Sequence, residues 1–323
     1  MLKETPLEKM EKSFCVIPLQ SNPESTGTEL EELRSTYMAN CVFNSFLSYT
    51  TIMLNIVTIQ AIRKTPSLSK TLRTLLLSLA VSDVGVGLLG QPFYVSLVVE
   101  WLQQNNPGCI TNLVFIFILN SFSLVSLLGV AALTVERFLA IHLDLRYQEL
   151  VTHKRVIVVV ILMWVMSAFL SFALVWIPID NFSLVRWFVG VIGFVLTSVA
   201  YIRIYLAVRR HKGEIQALQV QQVAENCEVA SFISLVKSAV GIFYVYLVFL
   251  ICYLPYFISL VFLNISDPSI ALKRFSLYSF TVMLLNSALN PIVYCWKMRH
   301  IRRTIMEVLL NISWFRNRAS HLS

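Results

Sequence analysis

The sequence predicts an all-α membrane protein: a seven-transmembrane helix bundle with a short amphipathic eighth helix. Three observations point there. Of its 323 residues, 57% are hydrophobic and only 14% charged, against about 25% charged in a typical soluble domain, so the chain cannot clothe a water-facing surface. Seven apolar runs, near 41–62, 73–99, 111–139, 156–177, 184–208, 238–263 and 275–296, each reach the ~20 residues that cross a bilayer. The connections are short except for 209–237. Helices fit these runs and strands do not, because the runs are long and evenly apolar and lipid offers no partner to an unpaired backbone amide.

The expected domains follow from the runs: an extracellular N-terminal tail over 1–40, the bundle over 41–296, and an amphipathic helix with a cytoplasmic tail over 297–323. Residues 1–36 are polar and acidic and are expected to be disordered. "MLKETPLEKMEK" has no apolar core, so no cleavable signal peptide is expected and the first span acts as its own insertion signal. No fixed-period repeat or inverted symmetry between halves stands out, as a transporter could show.

The basic residues give the orientation. With the N-terminus outside, only seven of the 26 lysines and arginines face outward: Lys3, Lys9, Lys12, Arg34, Arg186, Lys273 and Arg274. The crowded side is then cytoplasmic, and the chain is expected in the plasma membrane. The same orientation puts the glycosylation sequons at Asn181 and Asn264 outside. The formal charge of +8 becomes a cytoplasmic rim facing anionic lipid and protein partners, with nothing to suggest nucleic acid.

The third span, "GVAALTVERFLAIHLDLRY", carries adjacent opposite charges at Glu136 and Arg137, after which Phe138-Leu-Ala-Ile141 resumes the apolar pattern. A lone arginine at a helix end ordinarily snorkels to the interface. Other polar residues inside apolar spans argue for more: Asn55, Asp83, Ser126, Asn286 and Asn290. Such residues face one another within a bundle and mark function.

The chain resembles the rhodopsin-like (class A) G-protein-coupled receptors over all seven spans, roughly 40–310. "LSLAVSD" (77–83) is similar to their second-helix signature, with Asp83 as its aspartate. Glu136-Arg137-Phe138 is similar to the Asp/Glu-Arg-Tyr triplet, with Phe in place of Tyr. Trp164 fits the fourth-helix tryptophan, and "YIRIYLAVRRH" (201–211) the inner end of the fifth helix, with its tyrosine at Tyr201. "FLICYLP" (249–255) resembles Phe-x-x-Cys-Trp-x-Pro, and "NSALNPIVY" (286–294) contains Asn-Pro-x-x-Tyr. The resemblance implies a receptor that binds an extracellular ligand and activates heterotrimeric G proteins, with arrestin as a further partner.

In that reading Arg137 is the inner switch. It pairs with Glu136 at rest and turns towards Tyr201 and Tyr294 on activation, with Asn290 and Pro291 in the same element. Many members hold this arginine with an acid on the sixth helix. Counting back from Pro255 that position is Leu235, so the inter-helical lock is expected to be absent and some basal activity follows. The hinge consists of Phe249, Tyr253 and Pro255, the proline kinking the helix and the Tyr253 hydroxyl needing a partner.

The outer half suggests the ligand by exclusion. Amine receptors carry an aspartate where this chain has Leu119, and light sensors a lysine where it has Leu284. The expected walls from the third helix are Leu119, Asn120 and Ser123. From the sixth and seventh come Tyr253, Tyr256, Phe257, Leu260 and Phe280. This lining is apolar and aromatic with a few hydrogen-bonding groups, as small-ligand sites are. The short second outer loop, roughly "PIDNFSLV", has no cysteine, so the family's usual disulfide is absent. Cys109 pairs instead with Cys15 or stays free. Cys41, Cys252 and Cys295 read as membrane cysteines packing as small apolar residues, and Cys227 as a reduced cytosolic thiol. The missing loop cysteine and Gly193 in place of a fifth-helix proline resemble the melanocortin, cannabinoid, sphingosine-phosphate and adenosine cluster. A small apolar molecule, lipid or peptide ligand is expected.

No enzymatic constellation is visible, and no cofactor is expected beyond an allosteric sodium ion. Asp83, Ser126, Asn286 and Asn290 resemble the family's sodium pocket, oxygen ligands of the kind a hard cation favours. The alternative there is a water network around a protonated Asp83. After the seventh span, "MRHIRRTIMEVLLNI" places Ile301, Ile305, Leu309 and Ile312 opposite Arg299, Arg302 and Arg303, an amphipathic helix for membrane lipid. A seven-span transporter remains an alternative, though Asp83 alone is a poor relay. So does a receptor-like binding protein without G-protein output.

Overall fold

The computed structural model describes residues 27–105, 108–142, 147–175, 191–192, 195, 198–199, 202–203, 206, 226–265 and 269–320. Among these the helices in chain order are α1 (Gly27–Lys64), α2 (Lys70–Gly85), α3 (Gln91–Leu102), α4 (Cys109–His142), α5 (Tyr147–Leu150), α6 (His153–Val175), α7 (Asn226–Ile265), α8 (Ile270–Lys297) and α9 (Arg299–Ser320). Six stretches, with α2 and α3 acting as one, are long and apolar enough to cross a membrane. Most of the predicted fifth span, 184–208, lies outside the described residues.

The predicted tail needs correcting. Helix α1 begins at Gly27, well before 41 and inside the stretch expected to be disordered. Leu33 and Tyr37, one turn apart, are fully buried, as are Thr36 and Asn40. Lys273 on α8 forms a salt bridge with Glu29, and Arg274 donates to the Glu32 carbonyl at 2.6 Å. The polar appearance of "TELEELRST" concealed one apolar face and one set of polar contacts with partners 242 and 244 residues away. The connection 209–237 is likewise shorter than predicted, because α7 starts at Asn226.

The second span is not one uniform helix. A π turn over Val86–Gly90 joins α2 to α3. The glycines there are needed for close approach. A Cβ at Gly85 would lie 2.3 Å from the Phe122 ring, and one at Gly87 would lie 2.8 Å from Ile52. Ser48 of α1 donates to the Gly87 carbonyl at 2.7 Å, which ties the two spans at this depth.

Proline shapes the seventh span. Pro291 has no N–H and so leaves the Ser287 carbonyl without its helical donor. Asn55 of α1 takes that place, donating to Ser287 O at 2.9 Å. The Trp164 indole on α6 donates to Ser78 Oγ at 3.0 Å, so the fourth-span tryptophan anchors α2. Met298 is extended and ends α8, turning the chain into α9. The buried stripe of α9 is Ile301, Ile305 and Val308, while Leu309 is exposed. Thr65 bonds Thr304 at 3.1 Å. The apolar side of α9 therefore packs first on the bundle, a correction to the expected stripe through Leu309; the side chain of Ile312 lies outside the described residues.

Candidate functional site

At one end of the bundle Glu136 and Arg137 are buried, 3% and 4% exposed. The guanidinium forks onto the carboxylate through Nε and Nη2, the strong bidentate geometry of this pair. Glu136 Oε1 also accepts from Thr71 Oγ1 at 3.0 Å and from the Tyr147 hydroxyl at 2.6 Å. The remaining Arg137 nitrogen, Nη1, reaches Ser238 Oγ on α7 at 3.4 Å. Leu235 offers no charge and packs against the apolar core. A long neutral hydrogen bond, to Ser238, joins Arg137 to the sixth span beside Leu235.

Thr71 and Tyr147 escaped the sequence reading because they belong to other segments, and nothing in their own neighbourhood marks them. Tyr147 lies outside the membrane spans. Burial, then the Glu136 charge, push its phenol up from its ordinary value to about 12, so it stays a proton donor to Glu136. A second tie joins α7 and α8 nearby: Lys297 Nζ sits 3.8 Å from the Tyr244 ring centre and 3.5 Å from that of Trp296, a cation–π contact.

Two turns or more away, the polar cluster around Asp83 is buried. Asn290 Nδ2 donates to Asp83 Oδ2 at 2.8 Å, and Ser287 faces the same carboxylate. Ser126 bonds Ser82, the neighbour of Asp83, at 3.3 Å. Asn286 lies one turn from Asn290 on the same face of α8. Asp83 Oδ1, Asn286 Oδ1 and Asn290 Oδ1 are buried acceptors without a donor, and the Tyr294 hydroxyl has no partner either. A set of unmatched oxygens fits a small hard cation, which Asp83, Asn286, Asn290 and Ser126 would hold and whose charge would offset the carboxylate.

In the other half, rings form a ladder along α7 and across to α8. Phe249 stacks on Tyr253 at 4.0 Å, Tyr253 meets Phe257 at 6.2 Å, Phe257 meets Tyr256 at 6.1 Å, and Tyr256 meets Phe280 edge-on at 5.4 Å. Pro255 lies inside this stretch and frees the Ile251 carbonyl. The Tyr253 hydroxyl faces Ser123. Leu119, Asn120, Tyr253, Tyr256, Phe257, Leu260 and Phe280 are all buried, and Ser123 is half-buried. Phe280 also contacts Tyr94 at 4.7 Å and Phe115 at 6.2 Å, two walls the sequence reading missed.

Also missed was a polar group between α1, α3 and α8. Asn44 Nδ2 donates to Thr281 Oγ1 at 2.9 Å, Thr281 donates to Asn40, and Gln91 is fully buried. The signal was available: these are polar residues inside apolar runs, the same feature that singled out Asp83 and Asn286. Tyr201 and Asn181 lie outside the described residues. Asn264 sits in the last turn of α7, not in the predicted connection. Cys41, Cys252 and Cys295 are free. Cys109 is disulfide-bonded, so it does not stay free.

Comparison with known proteins supplies the family. The profile of the 7 transmembrane receptor (rhodopsin family) matches residues 54–183 and 176–294. Melanocortin receptor 4 of Danio rerio is 25% identical over 277 residues, 81% of each chain. Adenosine receptor A2a of Homo sapiens is 23% identical over 290 residues, 80% of this chain and 69% of its own. Adenosine receptor A2b of Gallus gallus is 31% identical over 138 residues, 43% of this chain and 38% of its own. Melanocortin and adenosine receptors are two of the receptor types that the missing loop cysteine and Gly193 had suggested. The chain is a multi-pass membrane protein and a G-protein-coupled cell-surface receptor, not an enzyme, and it belongs to the rhodopsin family of seven-transmembrane receptors.

Proposed function

We propose that a small apolar molecule, lipid or peptide enters the aromatic half of the bundle and moves Arg137 away from Glu136. The carrying observation is the ring ladder, which runs from Phe280 through Tyr256, Phe257 and Tyr253 to Phe249 and spans the proline of α7. A ligand touching one end of a packed ladder biases a two-state helix only through its differential affinity for the two states. Arg137, Tyr201, Asn290, Pro291 and Tyr294 form the switch that the G protein reads, and arrestin uses the same face. A sodium ion at Asp83 favours the resting state. The N-terminus lies outside the plasma membrane, with Asn181 and Asn264 as glycan acceptors, and the basic side of α9 faces anionic inner-leaflet lipid. Cys109 is joined to Cys15, the remaining cysteine on that side.

The test is nucleotide exchange on heterotrimeric G proteins at matched surface expression. Arg137→Ala is expected to abolish basal and ligand-driven exchange. Unchanged exchange would refute the switch assignment. A ligand-library screen reporting cyclic AMP, calcium and arrestin together identifies the ligand class and the output.

A further inference from the structure

Gln91 opens α3 at the foot of its buried face, one turn below Tyr94. Its side chain is fully buried, and neither its Nε2 nor its Oε1 has a hydrogen-bond partner. A carboxamide offers two donors and an acceptor, and leaving all of them unmatched away from water is destabilising. The aromatic pocket and the Asp83 cluster leave this group unused.

Its surroundings follow from register. Two contacts fix how α1 runs against the second span: Ser48 with the Gly87 carbonyl at 2.7 Å, and Cys41 with the Val95 carbonyl at 4.0 Å. One turn from Ser48 is Asn44, and one turn from Gly87 is Gln91, so both lie at one depth. Asn44 is bonded to Thr281 of α8, and its Oδ1 is a further buried acceptor without a donor. Thr281 follows Phe280 in sequence, and the Phe280 ring is 4.7 Å from that of Tyr94. The unmatched polar atoms therefore share a wall with the aromatic pocket. The Tyr94 hydroxyl lies near Thr281 but in no hydrogen bond of ordinary geometry.

Charge narrows what could fill the gap. Among the described residues the acids nearest along these helices are engaged or distant: Glu100, whose Oε2 is buried without a partner, lies at the other end of α3, ~13 Å along the helix from Gln91. Asp83, two turns below Gln91, accepts from Asn290, and Glu29 and Lys273 pair with each other at the far end. We infer that Gln91 and Asn44 form a polar subsite that reads an uncharged primary carboxamide, or an equivalent planar edge, on a ligand whose apolar body lies against Phe280 and Tyr256. Each of the three unmatched protein atoms gains one partner. The ligand carbonyl accepts from Gln91 Nε2, and its two N–H groups donate to Gln91 Oε1 and Asn44 Oδ1.

This inference rests on the pocket proposed above, and the experiment separates the two. Full-length receptor in lipid nanodiscs is titrated with a phenylalkyl primary amide and with its methyl ester, carboxylate and amine counterparts on the same apolar body. The wild-type receptor is expected to bind the amide about tenfold more tightly than the ester, and the charged probes least. In Gln91→Leu the amide and the ester bind equally. The unliganded Gln91→Leu receptor unfolds at the same temperature as wild type or higher, because the carboxamide has no internal partner to lose. A lower unfolding temperature without ligand would make Gln91 a structural residue and overturn the inference, as would a wild type that does not prefer the amide or binds none of the probes. Phe280→Ala reports on the pocket itself. If it weakens every probe while Gln91→Leu still prefers the amide over the ester, the pocket stands and the subsite falls. If it weakens none while Gln91→Leu binds the amide and the ester equally, the pocket reading falls alone.

Discussion

Around Arg137 every charged atom has found a partner, whereas around Asp83 the oxygens outnumber the donors. Glu136 takes hydrogen bonds from Arg137, Thr71 and Tyr147, and the last guanidinium nitrogen reaches Ser238. Asp83 has Asn290 on one oxygen, while its second oxygen and the amide oxygens of Asn286 and Asn290 have no donor. Both clusters are buried, so the contrast is one of completeness. A saturated network holds one arrangement and resists change. An acceptor-rich one has an arrangement to gain by taking up a cation or water. The difference suggests a latch at one depth and an adjustable bias at the other.

The largest expected effect comes from breaking the saturated network at its charge. Glu136→Gln leaves a buried guanidinium without its counter-charge, and removing one partner of such a pair costs about 3–5 kcal/mol. The purified receptor should unfold at a markedly lower temperature, and basal nucleotide exchange should rise several-fold at matched expression. Unchanged values for both would mean that Arg137 does not depend on Glu136.

Tyr147→Phe is expected to act in the same direction with less force, since one hydrogen bond to a charged group contributes about 1.5–3 kcal/mol. Its pH dependence has a definite sign. The phenol ordinarily titrates at 10.0 and is pushed up to about 12 in the folded receptor by burial, then Glu136. The folded state therefore keeps the proton longer than the unfolded one. This contribution is fully present below pH about 10 and is lost as pH rises towards about 12. Stability measured across physiological pH should show no Tyr147-dependent slope, and wild type and Tyr147→Phe should converge only at the alkaline end.

Ser238→Ala should do least. At 3.4 Å its bond to Arg137 is long for a hydrogen bond, so basal exchange should change by no more than about twofold, a few tenths of a kcal/mol. A larger rise would make Ser238 the true replacement for the missing acid.

How much of this was legible in the sequence depended on whether the cause was local. The spans were readable because each apolar run reports its own burial. Asp83, Asn286 and Asn290 stood out because a polar residue inside such a run is anomalous wherever it is. The early start of α1 was not readable, since its reason is Lys273, 244 residues away in the chain. Thr71 and Tyr147 were hidden in the same way by distance. The π turn at Val86–Gly90 left a visible trace in its glycines, but the trace named no partner until Phe122 and Ile52 were placed beside it. Gln91 was equally legible, as a polar residue inside an apolar run.

The contrast between the two clusters is tested most directly by sodium. Wild-type receptor and Asp83→Asn are reconstituted in nanodiscs with a heterotrimeric G protein, and basal nucleotide exchange is followed as sodium replaces a bulky organic cation at constant ionic strength. The unmatched oxygens around Asp83 predict that exchange falls with sodium in the wild type and stays flat in Asp83→Asn. Equal sodium sensitivity in both proteins, or none in the wild type, would contradict a cation site there and leave water as the occupant of that cluster.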